Sequence, residues 1–147
     1  MDKPETASSP DPVDYKLVFD TMPGLCLVLD ARFRILAQNA EHANATLSTE
    51  KSVLGMVLFE AFPDNPNDSN VDGVSAVRQS LLNVLKTRQR DVMPIVRYDV
   101  RPALGGYETR YWAITNTPVL GDDGFVRWII NRAEDVTALV QGSDFTV

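Results

Sequence analysis

Few residues in this chain could carry chemistry, and each has a plainer role. There is one histidine, His42, and one cysteine, Cys26, among 147 residues. A nucleophilic centre needs a base beside its nucleophile and a third group to orient that base. No sequence context around His42 or Cys26 supplies this, and His42, set among Glu41, Ala43 and Asn44, reads as a surface residue. Cys26 lies within Leu25-Cys26-Leu27-Val28-Leu29, where a thiol acts as a small hydrophobe. A lone cysteine also excludes an intramolecular disulfide and a multi-cysteine metal cage. The string Asp68-Ser69-Asn70-Val71-Asp72-Gly73, followed by Gln79, imitates a calcium loop. Such a loop must end in a bidentate glutamate, which Gln79 cannot replace. Ser69, Asn70 or Asp72 is instead expected to cap the following helix. Asp122-Asp123 belongs to a turn, and Leu104-Gly105-Gly106 to a strand connection rather than a phosphate loop. No catalytic residue and no metal site is expected.

Charge and hydropathy narrow the remaining classes. The net charge is -6, from 20 acidic and 14 basic side chains. Nucleic-acid binding draws most of its affinity from cations on phosphates, so this balance argues against it. Arg97, Arg101, Arg110, Arg127 and Arg132 leave room only for a local basic patch. No apolar run approaches the roughly 18 residues of a membrane span. Residues 1–12 are polar and acidic with three prolines, unlike a signal peptide, so a cytoplasmic setting is expected.

The elements that must position any site follow from periodicity. Residues 1–12 read as a disordered lead-in and 13–22, with Leu17, Val18 and Phe19, as a short amphipathic helix stopped by Pro23-Gly24. Residues 25–29 and 33–38 read as hairpin strands across Asp30-Ala31-Arg32. Asn39 stands where the N-cap of a helix over 40–47 would be, and a helical turn follows at 48–53. Gly55 breaks the chain before a compact apolar segment, 56–62. Residues 63–70 are turn chemistry throughout. Val74, Val77, Leu81, Val84 and Leu85 recur at helical steps, placing one stripe on a helix over 74–88. Three strands are then expected, 91–100, 107–119 and 125–134, the last two joined by a turn at 120–124. Segregated runs of this kind indicate α+β, with helices on one face of an antiparallel sheet.

That order resembles the PAS fold over residues 15–137. Met22-Pro23-Gly24 is similar to the family's approach to its first strand, and Arg34 to Ala40 to its second strand running into an Asn that opens the first core helix. Val53-Leu54-Gly55 with Leu58-Phe59 resembles its helix-Gly-helix step. Gly121-Asp122-Asp123-Gly124 resembles its last hairpin, and Asp135-Val136-Thr137 its Asp-x-Thr exit. Phe59 to Pro63, Arg97 to Val100 and Tyr111-Trp112 are similar to PAS domains of bacterial sensor histidine kinases.

The resemblance implies a five-stranded antiparallel sheet, helices on one face, and an N-terminal helix in front. A sensory domain would span 13–137, with 138–147 starting a linker helix or tail. In this family a ligand sits between sheet and helices. Phe59, Phe62, Leu81, Leu85, Arg97, Tyr111 and Trp112 are the candidates to line such a pocket. A closely packed core is the simpler reading of the same side chains. An inward Arg97 would need a carboxylate or phosphate partner. Haem is disfavoured because no histidine lies on 74–90, and a flavin photosensor because Cys26 lacks the Asn-Cys-Arg context, which leaves an unknown small molecule. Asp135 and Thr137 would carry the signal out, towards a C-terminal histidine kinase or other effector absent from what reads as a fragment. The helix over 13–22 would pair with its copy in a homodimer. The alternatives are a structural adaptor with a filled core and protein partners only, or a small cone-shaped isomerase-like enzyme.

Overall fold

The computed structural model describes residues 10–46, 48, 50–68, 72–100 and 106–143. Most of the expected disordered lead-in, residues 1–9, therefore lies outside the described residues, as do Ser69 and Asn70. In chain order the elements are α1 (Tyr15–Thr21), β1 (Leu25–Asp30), β2 (Ile35–Gln38), α2 (Ala40–Thr46), α3 (Glu50–Val53), α4 (Leu58–Ala61) and α5 (Gly73–Thr87). They continue with β3 (Asp91–Val92), β4 (Val96–Arg97), β5 (Tyr111–Leu120), β6 (Val126–Asp135) and α6 (Thr137–Ser143).

The strands form one antiparallel sheet in the order β2-β1-β6-β5-β3, with β4 also on β5. The opening hairpin thus joins the terminal strands through β1 and β6. The strand expected over 91–100 is two short ones, β3 and β4. Pro94 lies between them and cannot donate to a ladder, which confines it to such a break. On β5, Pro118 pairs with Ile129 of β6, in a stretch with no second neighbouring strand among the described residues.

The alternation along β1 fixes the core face. Leu25, Leu27 and Leu29 face inward with Ile114, Trp112 and Ile129, against Val77, Leu81 and Val84 of α5. Local devices place the helices. The Asn39 side chain caps α2 by accepting from the His42 amide at 3.0 Å. Its oxygen also accepts from the Cys26 amide at 3.0 Å, and its nitrogen donates to the carbonyls of Met22 and Gly24. One amide therefore binds the end of α1 and the starts of β1 and α2. Gly55 adopts φ +84°, a left-handed conformation that favours glycine, between α3 and α4.

The cap of α5 differs from expectation. Asp72 occupies the N-cap position without a side-chain hydrogen bond, and Asp64 accepts from the Val74 amide at 3.0 Å instead. Gly73 starts this helix because nothing larger fits there. A Cβ would stand 2.7 Å from the Tyr98 ring and 2.8 Å from the Arg97 carbonyl oxygen.

Candidate functional site

Between the sheet and α2, α4 and α5 lies a cavity of about 60 Å³. Its wall is mostly apolar, with Leu27, Leu58, Val77, Ile114 and Ala133 among the contributors. His42, Thr46, Tyr98, Asp99, Trp112 and Asn131 add polar groups. A water needs about 10–15 Å³ measured this way, so the space suits a few waters or one small molecule. The fused rings of a flavin would not enter it as it stands.

Of the residues expected to line a pocket, Phe62 and Trp112 do so. Phe59, Leu81, Leu85, Arg97 and Tyr111 do not line this cavity. Leu81 is fully buried in the core, and Leu85 packs against it. Phe59 turns towards Phe33, with ring centroids 6.4 Å apart, and carries the Arg78 guanidinium on its face. Arg97 has the carboxylate partners its charge requires. It bonds Asp99 through two parallel 3.0 Å contacts and Asp68 at 2.9 Å. The hydrogen bonds to Asp99 raise the guanidinium above its ordinary value, with the charges of Asp99 and Asp68 adding to that.

His42 is the residue that sequence reasoning misplaced. It is buried, not exposed, and lines the cavity from α2. Its Nδ1 lies 2.6 Å from the Gln38 side-chain amide, and its ring meets Phe62 edge-on with centroids 5.6 Å apart. Burial pushes its pKa down to about 4, so the ring is neutral near pH 7. The helical signal that could have exposed it is weak. The buried face of α2 holds His42 and Thr46, one turn apart, and neither is apolar.

The other polar groups are tied to the fold. Trp112 Nε1 donates to the Tyr98 carbonyl at 2.7 Å. The Tyr98 hydroxyl donates to the Phe62 carbonyl, and burial, with the nearby Asp64 charge, raises its pKa strongly. Asn131 donates to Asn116 at 2.7 Å, Asn116 to Ser80 at 2.9 Å, and Ser80 to Asp91 at 2.5 Å. Cys26 is buried, and that burial raises its thiol pKa against the opposing pull of Arg132. Among the described residues no group of three His, Cys, Asp or Glu side chains could hold a metal ion. Nor is any helix there long and apolar enough to cross a membrane.

The exit from the sheet is built on two side chains. Asp135 Oδ1 accepts from the Thr137 amide at 3.0 Å and from the Thr137 hydroxyl at 2.6 Å. Thr137 Oγ1 in turn accepts from the Tyr111 amide at 2.8 Å, and the Val136 amide donates to the Tyr111 carbonyl. The start of α6 is thereby fastened to the residue next to Trp112.

An antiparallel sheet with an inserted run of helices, a central cavity and an Asp-x-Thr exit define one class of α+β domain. A family model for the PAS fold matches residues 19–141, and the chain belongs to that family. The structure is similar to a PAS domain from Colwellia psychrerythraea at 12% identity, with a TM-score of 0.65, covering 84% of this chain and 94% of that one. It is also similar to a sensory box sensor histidine kinase from Vibrio cholerae at 15% identity, TM-score 0.56, with 84% and 88% covered. A third is the PAS-B domain of Drosophila melanogaster Cycle with bound ethylene glycol, at 12% identity, TM-score 0.58, with 76% and 98% covered. No curated protein matches the sequence.

Proposed function

We propose that the chain is the non-catalytic sensory and dimerisation module of a cytoplasmic signalling protein, with a histidine kinase as its output. Occupancy of the central cavity would shift the populations of two sheet-and-exit arrangements. The observation that carries this is the link from wall to exit. Trp112 lines the cavity, its neighbour Tyr111 donates to Thr137, and Thr137 opens α6. A molecule pressing on Trp112 therefore acts one residue from the contact that holds α6 in place. The kinase output rests on the Vibrio cholerae neighbour, and small-molecule sensing is supported by the glycol held by the Cycle domain.

A homodimer is supported by α1. Val13, Tyr15, Leu17 and Val18 are exposed, and α1 buries no residue of its own. A second copy would cover this apolar surface. Asp99, the carboxylate in the cavity wall, has both oxygens hydrogen-bonded to Arg97, which favours a sensor over an acid–base enzyme. The small cavity volume favours one other reading, an adaptor that binds only proteins. Native mass spectrometry of freshly purified protein tests the set together. A dimer retaining a small molecule is expected. A strict monomer at high concentration would remove the dimer, and an empty dimer would favour the adaptor.

A further inference from the structure

The polar groups of the cavity wall can be assigned by counting hydrogens. Ser80 has one hydroxyl hydrogen, and it goes to Asp91 Oδ2 at 2.5 Å. Ser80 Oγ must then accept at its 2.9 Å contact with Asn116, which fixes the Asn116 nitrogen on that side. The Asn116 oxygen accordingly accepts from Asn131 Nδ2 at 2.7 Å. This leaves Asn131 Oδ1, an acceptor without a partner among the described residues, on a residue that lines the cavity.

The opposite wall yields to the same count. Thr46 uses its single hydrogen on the His42 carbonyl at 2.7 Å. Its 2.8 Å contact with Ser48 therefore has Ser48 as donor, which uses the only Ser48 hydrogen. The 3.2 Å contact between Ser48 and the Gln38 amide is then a hydrogen bond only with Gln38 as donor. With the amide oxygen placed there, Gln38 Nε2 is without a partner and sealed from all open space, the one such side-chain atom among the described residues. Turning the amide over satisfies Ser48 and gives that nitrogen two acceptors, Ser48 Oγ and His42 Nδ1 at 2.6 Å. The orphan becomes a carbonyl oxygen, which proteins tolerate better than an orphan N–H. His42 Nδ1 accepts, so its proton sits on Nε2, which has no partner among the described residues.

We infer, resting on the sensory reading above, that the cavity takes a small uncharged molecule of about four or five heavy atoms that accepts from His42 Nε2–H and donates to Asn131 Oδ1, as a short primary amide or alcohol does. Its apolar body lies against Leu27, Phe62 and Ile114. Carboxylates are refused. No lysine or arginine is among the described residues that line the wall, and the nearby Arg97 is already paired with Asp99 and Asp68.

Two measurements test this. Long-range proton–nitrogen correlation spectra report the His42 tautomer directly, and protonation at Nε2 is expected. Amide-shift titrations with propionamide, 2-butanone and propionate rank a donor–acceptor, an acceptor-only and an anionic probe of similar size. Propionamide should bind about tenfold more tightly than 2-butanone, since the ketone leaves Asn131 unpaired, and propionate should not bind. In Asn131→Leu the gap between amide and ketone should close. Should that variant fail to fold, the wild-type tautomer and ranking still decide. Protonation at Nδ1, equal binding of amide and ketone, or no saturable shift with any probe would overturn the assignment. Saturable propionamide binding that leaves α6 unchanged would uphold it and count against the sensory reading instead.

Discussion

Lowering the pH from 7 to 5 should cost the folded domain about 2 kcal/mol through the side chain of His42 alone. The imidazole titrates at 6.5 in an unperturbed chain and at about 4 in the folded one, where burial disfavours the cation. The unfolded state therefore binds the proton first. Stability is complete above pH 6.5, falls by about 1.4 kcal/mol per unit below it, and finishes falling near pH 4. The window is clean because His42 is the single histidine and carboxylates protonate mostly below pH 5. Urea unfolding followed by tryptophan fluorescence at half-unit pH steps gives the slope. His42→Gln, which cannot titrate here, should flatten it between pH 7 and 5 whatever its effect on overall stability. A wild-type curve that is already flat there, or a variant that keeps the slope, would refute the argument.

Other substitutions test the positioning devices. Asn39→Ala removes four hydrogen bonds at the junction of α1, β1 and α2, and should lower stability by about 3 kcal/mol in denaturant titration. Gly73→Ala drives a methyl group into the Tyr98 ring and the Arg97 carbonyl, and a loss of about 1–3 kcal/mol is expected from the same measurement. Thr137→Val removes the hydroxyl that joins α6 to Tyr111. Amide exchange should speed up in 137–143 while the core strands keep their protection, and uniform protection would contradict the proposed latch.

The framework of strands and long helix was legible because its signals are local. The stripe from Val74 to Leu85 and the β-branched runs before and after Gly121 identify elements without tertiary information. Even the break in the strand over 91–100 is written in Pro94, which has no amide hydrogen for a ladder. The cavity wall was less accessible for the opposite reason. His42 is buried on a helix without an apolar stripe, so only packing against Phe62 reveals its place. The cap of α5 comes from Asp64, ten positions before Val74 and across a turn-rich loop, beyond any N-cap pattern. Arg97 is likewise settled by Asp68 and Asp99, and only the nearer of these is a sequence neighbour.

The proline on β5 has a meaning for the life of the protein in a crowded cell. Where β5 runs on past β3, its flank meets no further strand among the described residues and would otherwise display backbone donors to any extended chain nearby. Pro118 has no amide hydrogen to lend, and so spoils that flank as a template for strand recruitment. Growth into fibrils from this side is discouraged before it begins, and a Pro118→Val exchange would be expected to leave the fold standing while making concentrated solutions turn cloudy sooner.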